Sequence, residues 1–301
     1  MNWYTVAPPA IMLALSAVLG RLPLVLHPSW SARLLAMTAG TTVVVALGTG
    51  VFVAINYAVS AAPSAAAHVP EWALFGDDRP VPGAVGIPAV LLTVAGLVVT
   101  GRTAAGWTSE LRTARAEARE PLDTDVPIAV AVPGRHGGVL LSRGMLQRFT
   151  ADELHVVFQH ETSHLRHRHH RYAAAGALLS AVLPPLRPLC ERLRLAVERW
   201  ADEDAAEAVG DRAFVARTIA KAALARPEPA RPGSTGPSLG FAESGVVQRV
   251  EALLGTPPAR NAVTGPLLFM SNGFVTGSLT AATLQLDHAL AACLLPLLAA
   301  R

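Results

Sequence analysis

The stretch that decides the fold of this chain is TADELHVVFQHETSH, residues 150–164. Thr150 and Glu153 form a capping-box pattern, in which each side chain binds a backbone N–H group of the other residue at the start of a helix. We therefore expect a helix that begins at about residue 151 and continues past His164. On this helix the side chains of His160 and His164 share one face, because residues four apart are neighbours.

His160, Glu161 and His164 form an HExxH pattern, which suits a catalytic zinc ion. Neutral imidazole nitrogens are zinc ligands, and a catalytic zinc site combines three protein ligands with one position left to water. Glu161 follows the first histidine and can reach that water, so we predict that Glu161 is the catalytic base. One further protein ligand must come from another part of the chain.

Glu198 and Asp202 are the candidates in the next predicted helix, residues 191–209. They are four residues apart and share a helix face. We predict that Glu198 is the third zinc ligand, and that Asp202 accepts a hydrogen bond from the distal nitrogen of a ligand histidine. The alternative is that both carboxylates form ion pairs with nearby arginines such as Arg194.

The rest of the segment around this motif reads as short strands and helices. Residues 126–132 and 138–142 are β-prone and flank a turn-like PGRHG, so they predict a hairpin or two sheet strands. Substrate could add a strand to an exposed edge at Val139, Leu140 and Leu141. Helices are expected at 108–120, 212–225 and 241–254, with a flexible loop at 226–240. We interpret His155, His167, His169 and His170 as a solvated basic surface rather than a second metal site.

The composition indicates a membrane protein. The chain is 51% hydrophobic and 16% charged, whereas soluble domains carry about 25% charged residues. Residues 34–60 and 83–101 are long apolar runs that can span a bilayer, and 3–22 and 264–286 are less regular candidates. The run 289–300 could be a tail or an interfacial segment. The alternatives are core helices of a soluble protein, and a cleaved signal peptide at 3–22.

The distribution of arginine predicts the orientation and the domains. The segments 21–33 and 102–119 carry arginine, whereas the loop 61–82 between them is acidic. Because basic loops lie on the cytoplasmic side of a membrane, this order predicts that residues 102–263 are in the cytoplasm. We therefore expect a membrane region at 1–101 with three transmembrane helices, a peptidase domain at 102–263, and a last transmembrane helix with a short tail at 264–301. Arginine is scattered, so direct nucleic-acid binding has little support. Cys190 and Cys293 are expected to be two ordinary buried thiols.

The HExxH pattern followed by Glu198-Arg-Trp-Ala-Asp202 resembles the integral-membrane zinc peptidases of the BlaR/MecR type, and more distantly those of the HtpX type. Residues 137–170, 196–224 and 246–254 carry the resemblance. It implies one zinc ion, endopeptidase activity, a gluzincin-like α+β catalytic domain and proteolysis coupled to transcriptional derepression. The fold expected is thus a mainly α membrane protein with about four transmembrane helices and a cytoplasmic zinc-peptidase domain.

Two departures from the family pattern bear on function. No penicillin-sensor domain is expected, because the sequence has no SxxK-type serine region. The acidic residue that the family often has shortly after the second histidine is replaced within Arg166-His-Arg-His-His170. The leading hypothesis is a regulatory protease in the plasma membrane that cleaves a cytoplasmic or membrane-proximal protein, such as a BlaI-like winged-helix repressor. The alternatives are HtpX-like quality control and a non-catalytic zinc-binding sensor or scaffold.

Overall fold

The computed structural model describes residues 3–62, 69, 81–117, 123–134, 137–225 and 238–283. Within these ranges the chain forms helices and one two-stranded antiparallel sheet. In chain order the elements are α1 (Trp3–Arg21), α2 (Pro28–Ala61), α3 (Gly83–Glu117), β1 (Ala129–Val132), β2 (Gly138–Leu141), α4 (Arg143–Arg148), α5 (Ala151–Arg166), α6 (His169–Val182), α7 (Arg187–Val209), α8 (Arg212–Leu224), α9 (Ser238–Leu254) and α10 (Thr264–Thr283).

Two of the described helices are long and apolar enough to cross a membrane, namely α2 and the part of α3 at Gly83–Thr103. They contain the predicted runs 34–60 and 83–101. The apolar window of α3 is only 11% buried inside the protein, whereas the core helix of a soluble protein of this length would be mostly buried. Leu91, Leu92 and Leu97 on α3 are each more than 60% exposed. This exposure favours lipid over protein as the surroundings of α3.

Both long helices extend beyond the predicted runs. α2 begins at Pro28, directly after His27, whose ring nitrogen accepts from the backbone N–H of Ser29. Proline suits the first turn of a helix because the backbone donor that it lacks has no intrahelical partner there. α3 continues to Glu117, so residues 108–117 of the separate helix expected at 108–120 belong to α3, and 118–120 lie outside the described residues.

The predicted first and last spans correspond to α1 and α10, which pack on α2. Ser16 of α1 forms a 2.8 Å hydrogen bond with Thr42 of α2, and Asn272 of α10 donates to Thr38 of α2 at 3.1 Å. Hydrogen bonds of this kind join helices in an apolar setting, where water cannot satisfy the polar groups. That α1 and α10 cross the membrane stays a prediction, and the run 289–300 lies outside the described residues.

The strands and helices that local sequence patterns predicted between residues 126 and 254 are present in the structure. β1 and β2 form an antiparallel hairpin in which Ala129 pairs with Leu141. α5 begins at Ala151, and both hydrogen bonds of the capping box between Thr150 and Glu153 are present. α7, α8 and α9 contain or nearly match the helices expected at 191–209, 212–225 and 241–254, while 226–237 in the predicted loop lies outside the described residues.

Helix α6 was not predicted, and it forms a hairpin with α7. The chain leaves α5 through Arg168, which has a left-handed backbone (φ 55°), and then begins α6 at His169. A 3₁₀ turn at Pro184–Leu186 connects α6 to α7. Leu186 of the 3₁₀ turn and Leu189, Leu193 and Trp200 of α7 share a buried core with α2 residues such as Leu35. This core fixes α7 between the long helices and α5.

Candidate metal centre

The side chains of His160, His164 and Glu198 meet where α5 lies beside α7. The two Nε2 atoms of the histidines are 3.1 Å apart. Glu198 Oε2 lies 3.6 Å from His160 Nε2, and Glu198 Oε1 lies 3.8 Å from His164 Nε2. The three predicted ligand residues therefore present one donor atom each to a common point, and together they could hold a metal ion.

The spacing of these donor atoms fits zinc. Two ligands at about 2.0–2.1 Å from a tetrahedral zinc ion are about 3.3 Å from each other. The two imidazole nitrogens are 3.1 Å apart, and each lies within 3.8 Å of one of the two Glu198 oxygens. Two imidazole nitrogens and one carboxylate oxygen are also a donor set that catalytic zinc sites use. The residues that are present thus fit a zinc ion in both chemistry and spacing.

Asp202 lies directly behind His160. Its Oδ1 atom is 3.0 Å from His160 Nδ1, the ring nitrogen that faces away from Glu198. The distance is that of a hydrogen bond, although the N–H direction is not well aligned with the carboxylate. This is the position that was predicted for a carboxylate that fixes the tautomer and orientation of a ligand histidine.

Arg249 of α9 pairs with both carboxylates, and sequence reasoning did not find it. It donates to the two oxygens of Asp202 at 2.7 Å each, and its Nη1 lies 3.0 Å from Glu198 Oε2. The alternative of an ion pair with an arginine is therefore realised, by Arg249 rather than Arg194. It coexists with the approach of Glu198 to the histidines, because a carboxylate offers about four lone-pair directions.

The pKa values of His160 and His164 are shifted in opposite directions. Burial alone would lower the pKa of His160, but the carboxylates of Asp202 and Glu198 raise it to about 9. Burial, assisted by the neighbouring His160, lowers the pKa of His164 to about 4. Burial alone would raise the pKa of Glu198, but His160 and Arg249 hold it below its ordinary range. The carboxylate is therefore ionised, as a metal ligand must be.

The prediction that His169 belongs to a solvated surface is wrong. The side chain is 1% exposed, and its Nδ1 atom lies 3.0 Å from His164 Nδ1. Its ring also lies against Trp200, and burial, with His164 next, lowers the pKa of His169 to about 3. A neutral His169 can accept a hydrogen bond from His164 Nδ1–H, which leaves His164 Nε2 free to bind a metal ion.

The other histidines near the motif are more exposed. His155 and His170 are exposed. His167 is half-buried, lies 2.9 Å from Asp204 through its Nε2 atom, and packs on Trp200. Asp204 also accepts a hydrogen bond from Ser163 at 2.7 Å. These contacts tie the end of α5 to α7, and His155 and His170 fit the predicted surface.

A cavity of about 410 Å³ opens next to the histidines. Glu161 lines it together with the three predicted ligands, so the predicted base and the metal centre face the same space. The apolar wall comes from β1, α5, α8 and α9, and includes Val157, Ile219, Ala222 and Val246. A cavity of this size, with mostly apolar walls and a few polar groups, is typical of a ligand-binding site.

The strand beside this cavity is β1 rather than β2. Ala129, Val130 and Ala131 line the cavity, whereas Val139, Leu140 and Leu141, the predicted substrate residues in β2, are not among the lining residues. Sequence reasoning could not rank the two strands, because each has an edge and both are short and apolar.

The three predicted ligand residues could hold a metal ion beside a cavity that Glu161 also lines, and one comparison with known proteins agrees with this arrangement. Residues 122–184 match the model of peptidase family M48, whose members are zinc metallopeptidases and include the BlaR/MecR and HtpX types. The match covers β1, β2 and the HExxH helix, and it ends before Glu198. Neither the search of curated proteins nor that of solved structures gave a match. The match supports a metallopeptidase.

Proposed function

We propose that this protein is a membrane-embedded zinc endopeptidase that hydrolyses a peptide bond of a cytoplasmic or membrane-proximal protein. The observation that carries the proposal is the convergence of His160, His164 and Glu198 on one point, with Glu161 lining the same cavity. A purely structural zinc site needs no carboxylate base beside a ligand and is usually closed by four protein ligands. The proposal therefore favours catalysis over a scaffold.

The residues divide the work of hydrolysis between them. His160, His164 and Glu198 would hold the zinc ion, which supplies Lewis acidity toward the scissile carbonyl and toward water. Glu161 takes a proton from the attacking water while the oxygen of that water adds to the carbonyl carbon. The same carboxyl group then gives the proton to the amide nitrogen, and the C–N bond breaks. Asp202 and His169 orient the two histidines.

Substrate binding is proposed along β1. The outer edge of β1 is unpaired within the described residues, since β2 is its one partner there. An extended peptide could add to that edge through backbone hydrogen bonds, and Ala129–Ala131 would then hold it against the cavity. The small side chains of Ala129 and Ala131 leave room for a backbone to approach closely.

The finer proposal concerns the class of substrate. The resemblance to BlaR/MecR-type peptidases favours a regulatory target, such as a BlaI-like winged-helix repressor. An HtpX-like role would instead produce cleavage of many misfolded membrane proteins. Proteomics of cleaved proteins in cells that carry the wild-type chain or a Glu161→Gln variant separates the two, because a regulatory protease yields one or a few defined products.

The experiment that tests the activity compares Glu161→Gln with wild type in purified, zinc-loaded protein. We expect peptide hydrolysis to fall by about 10²–10⁴-fold, since the general base is lost. The bound zinc should remain near one ion per chain, since the ligands are intact. The matched control is Glu191→Gln, the same substitution at an exposed position of α7, which should retain full activity.

Two outcomes contradict the proposal. If Glu161→Gln and wild type give identical cleavage profiles, the site does not catalyse hydrolysis and the scaffold is favoured. If His164→Ala leaves the zinc content unchanged, the predicted ligand set is wrong.

A further inference from the structure

The α6–α7 hairpin ends in an apolar surface. Residues 172–186 contain no charged side chain. At the end of the hairpin Ala177, Ala181, Pro184 and Pro185 are exposed. We refer to residues 177–186 as the hairpin tip.

The hairpin runs alongside α2 into its apolar part. Trp200 of α7 lies at the level of Arg33, whose guanidinium carbon is 4.9 Å from the centre of the Trp200 ring. Val182, beside the 3₁₀ turn, packs into the same core as Leu47 of α2. The step from Arg33 to Leu47 is about 21 Å along a helix. The tip therefore lies beside the middle of α2, far from the polar end.

The contact with α3 gives the depth of the tip. A Cβ atom placed on Gly96 would lie 2.9 Å from Leu47 and 4.0 Å from Val182, so α2, α3 and α6 meet at this glycine. The first charged residue that follows on α3 is Arg102. Six residues of helix span about 9 Å, which places the level of Val182 about 9 Å inside the apolar run of α3.

The contact with α1 gives a second estimate of the depth. The Arg192 side chain donates a hydrogen bond to the backbone oxygen of Leu22, directly after α1. Charged residues at this level mark the polar boundary, since Arg21 ends α1. Leu186, the residue directly before α7, precedes Arg192 by six residues, which again corresponds to about 9 Å of helix. Both contacts place the hairpin tip about 9 Å from the charged residues Arg102 and Arg192, inside the apolar region.

We propose that the hairpin tip inserts into the bilayer and contacts lipid hydrocarbon on the peptidase side of the membrane. This proposal rests on the proposed function, because it assumes that α2 and α3 span the membrane. The exposed surface of the tip is made of alanine and proline, which have no charge to desolvate. Arg187 follows the tip and is exposed, and an arginine side chain at this depth can extend to the head groups.

The insertion would fix the height of the catalytic site. Glu198 lies six residues beyond Arg192 on α7, about 9 Å on the polar side of the boundary. The hairpin tip directly precedes α7, so one rigid helix connects the membrane anchor to a predicted metal ligand. Such a site would reach peptide bonds close to the membrane surface, and substrates anchored in or adsorbed on the bilayer become the favoured class.

The test measures where single cysteines sit in vesicles of phosphatidylcholine and phosphatidylglycerol. Cys190 and Cys293 are replaced by alanine, and one cysteine is introduced as Ala181→Cys in the tip. Leu92→Cys on the exposed face of α3 is the lipid reference, and His155→Cys on the exposed face of α5 is the aqueous reference. A fluorescent thiol label reports quenching by nitroxide lipids, and a membrane-impermeant thiol reagent reports access to water.

We expect Ala181→Cys to behave like Leu92→Cys, with strong quenching by acyl-chain nitroxides and labelling by the impermeant reagent at least about tenfold slower than at His155→Cys. If Ala181→Cys is as reactive as His155→Cys while Leu92→Cys is protected, the tip proposal is overturned and the membrane spans stand. If Leu92→Cys is also reactive, the membrane location fails and the tip proposal fails with it. Neither readout depends on zinc or on peptidase activity.

Discussion

Replacement of Arg249 by methionine tests the ion-pair arrangement behind the metal centre. Asp202, with a side chain that is 2% exposed, is held by two hydrogen bonds of 2.7 Å from Arg249. Methionine keeps much of the volume of the arginine stem but removes the charge. Removal of one partner of a buried ion pair costs about 3–5 kcal/mol, because the other charge stays buried without compensation. His160, whose pKa is raised to about 9, stays 3.0 Å from Asp202 and offsets part of this cost, so we expect the metal-free Arg249→Met variant to lose stability by up to this amount.

The assay is unfolding of the purified, metal-free protein in detergent, followed by tryptophan fluorescence. Trp200, one of five tryptophans in the chain, lies in the core between α2 and α7, so its share of the emission changes when this region unfolds. The matched control is Arg260→Met, which removes the arginine of an exposed pair with Glu207 and should cost at most about 1 kcal/mol. The double variant Arg249→Met with Asp202→Asn removes both charges and should recover part of the loss.

Zinc should reduce the difference between Arg249→Met and wild type, because a divalent ion beside Glu198 supplies positive charge where the guanidinium is missing. An Arg249→Met variant that is no less stable than Arg260→Met would refute the reasoning. The same holds if Asp202→Asn adds to the loss in the double variant instead of offsetting it.

Three further predictions concern the surroundings of the site. His169→Phe should weaken zinc binding by about 10–100-fold in a chelator competition, since His164 loses its hydrogen-bond acceptor, and His170→Phe should not. Ser142→Ala should lower the free energy of unfolding by about 1–3 kcal/mol in the same assay. The lost hydroxyl is buried, caps α4 by accepting from the backbone of Met145, and forms hydrogen bonds with the backbone of Val126 and Ile128 before β1. The hydrogen bond from Lys221 lowers the pKa of Glu153, so Lys221→Met should reduce the unfolding temperature at pH 7, and the difference should disappear as the pH falls below 4.5.

The elements that sequence predicted best are those whose signals are local. The start of α5 follows from Thr150 and Glu153, which satisfy backbone donors of the first turn within four residues of chain. The hairpin follows from two β-prone runs around a turn. The spacing of His160 and His164 fixes their shared face once the helix is known. None of these inferences needs a contact between distant parts of the chain.

The contacts that were missed depend on tertiary structure. Arg249 reaches Asp202 from a helix 47 residues further along the chain, and no periodicity links the two. His169 follows the left-handed Arg168, so the helical spacing of α5 does not carry over to it. The sequence did hold one signal, since His169 falls in the stretch where the BlaR/MecR-type peptidases that the chain resembles often have an acidic residue. In this chain an imidazole stands behind His164.

Glu198 could bind a metal ion while it is paired with an arginine, because its two oxygens face different partners. Arg249 holds Oε2 at 3.0 Å, while Oε1 faces His164 at 3.8 Å. The arginine therefore fixes the side chain before any ion binds, and Asp202 and His169 do the same for the two histidines. The two imidazole nitrogens, 3.1 Å apart, are already close to the spacing of two ligands on a tetrahedral zinc ion. Because so little rearrangement is needed, zinc should raise the stability of α5 and α7 without changing their relative position, unlike zinc fingers, which fold only when the metal binds.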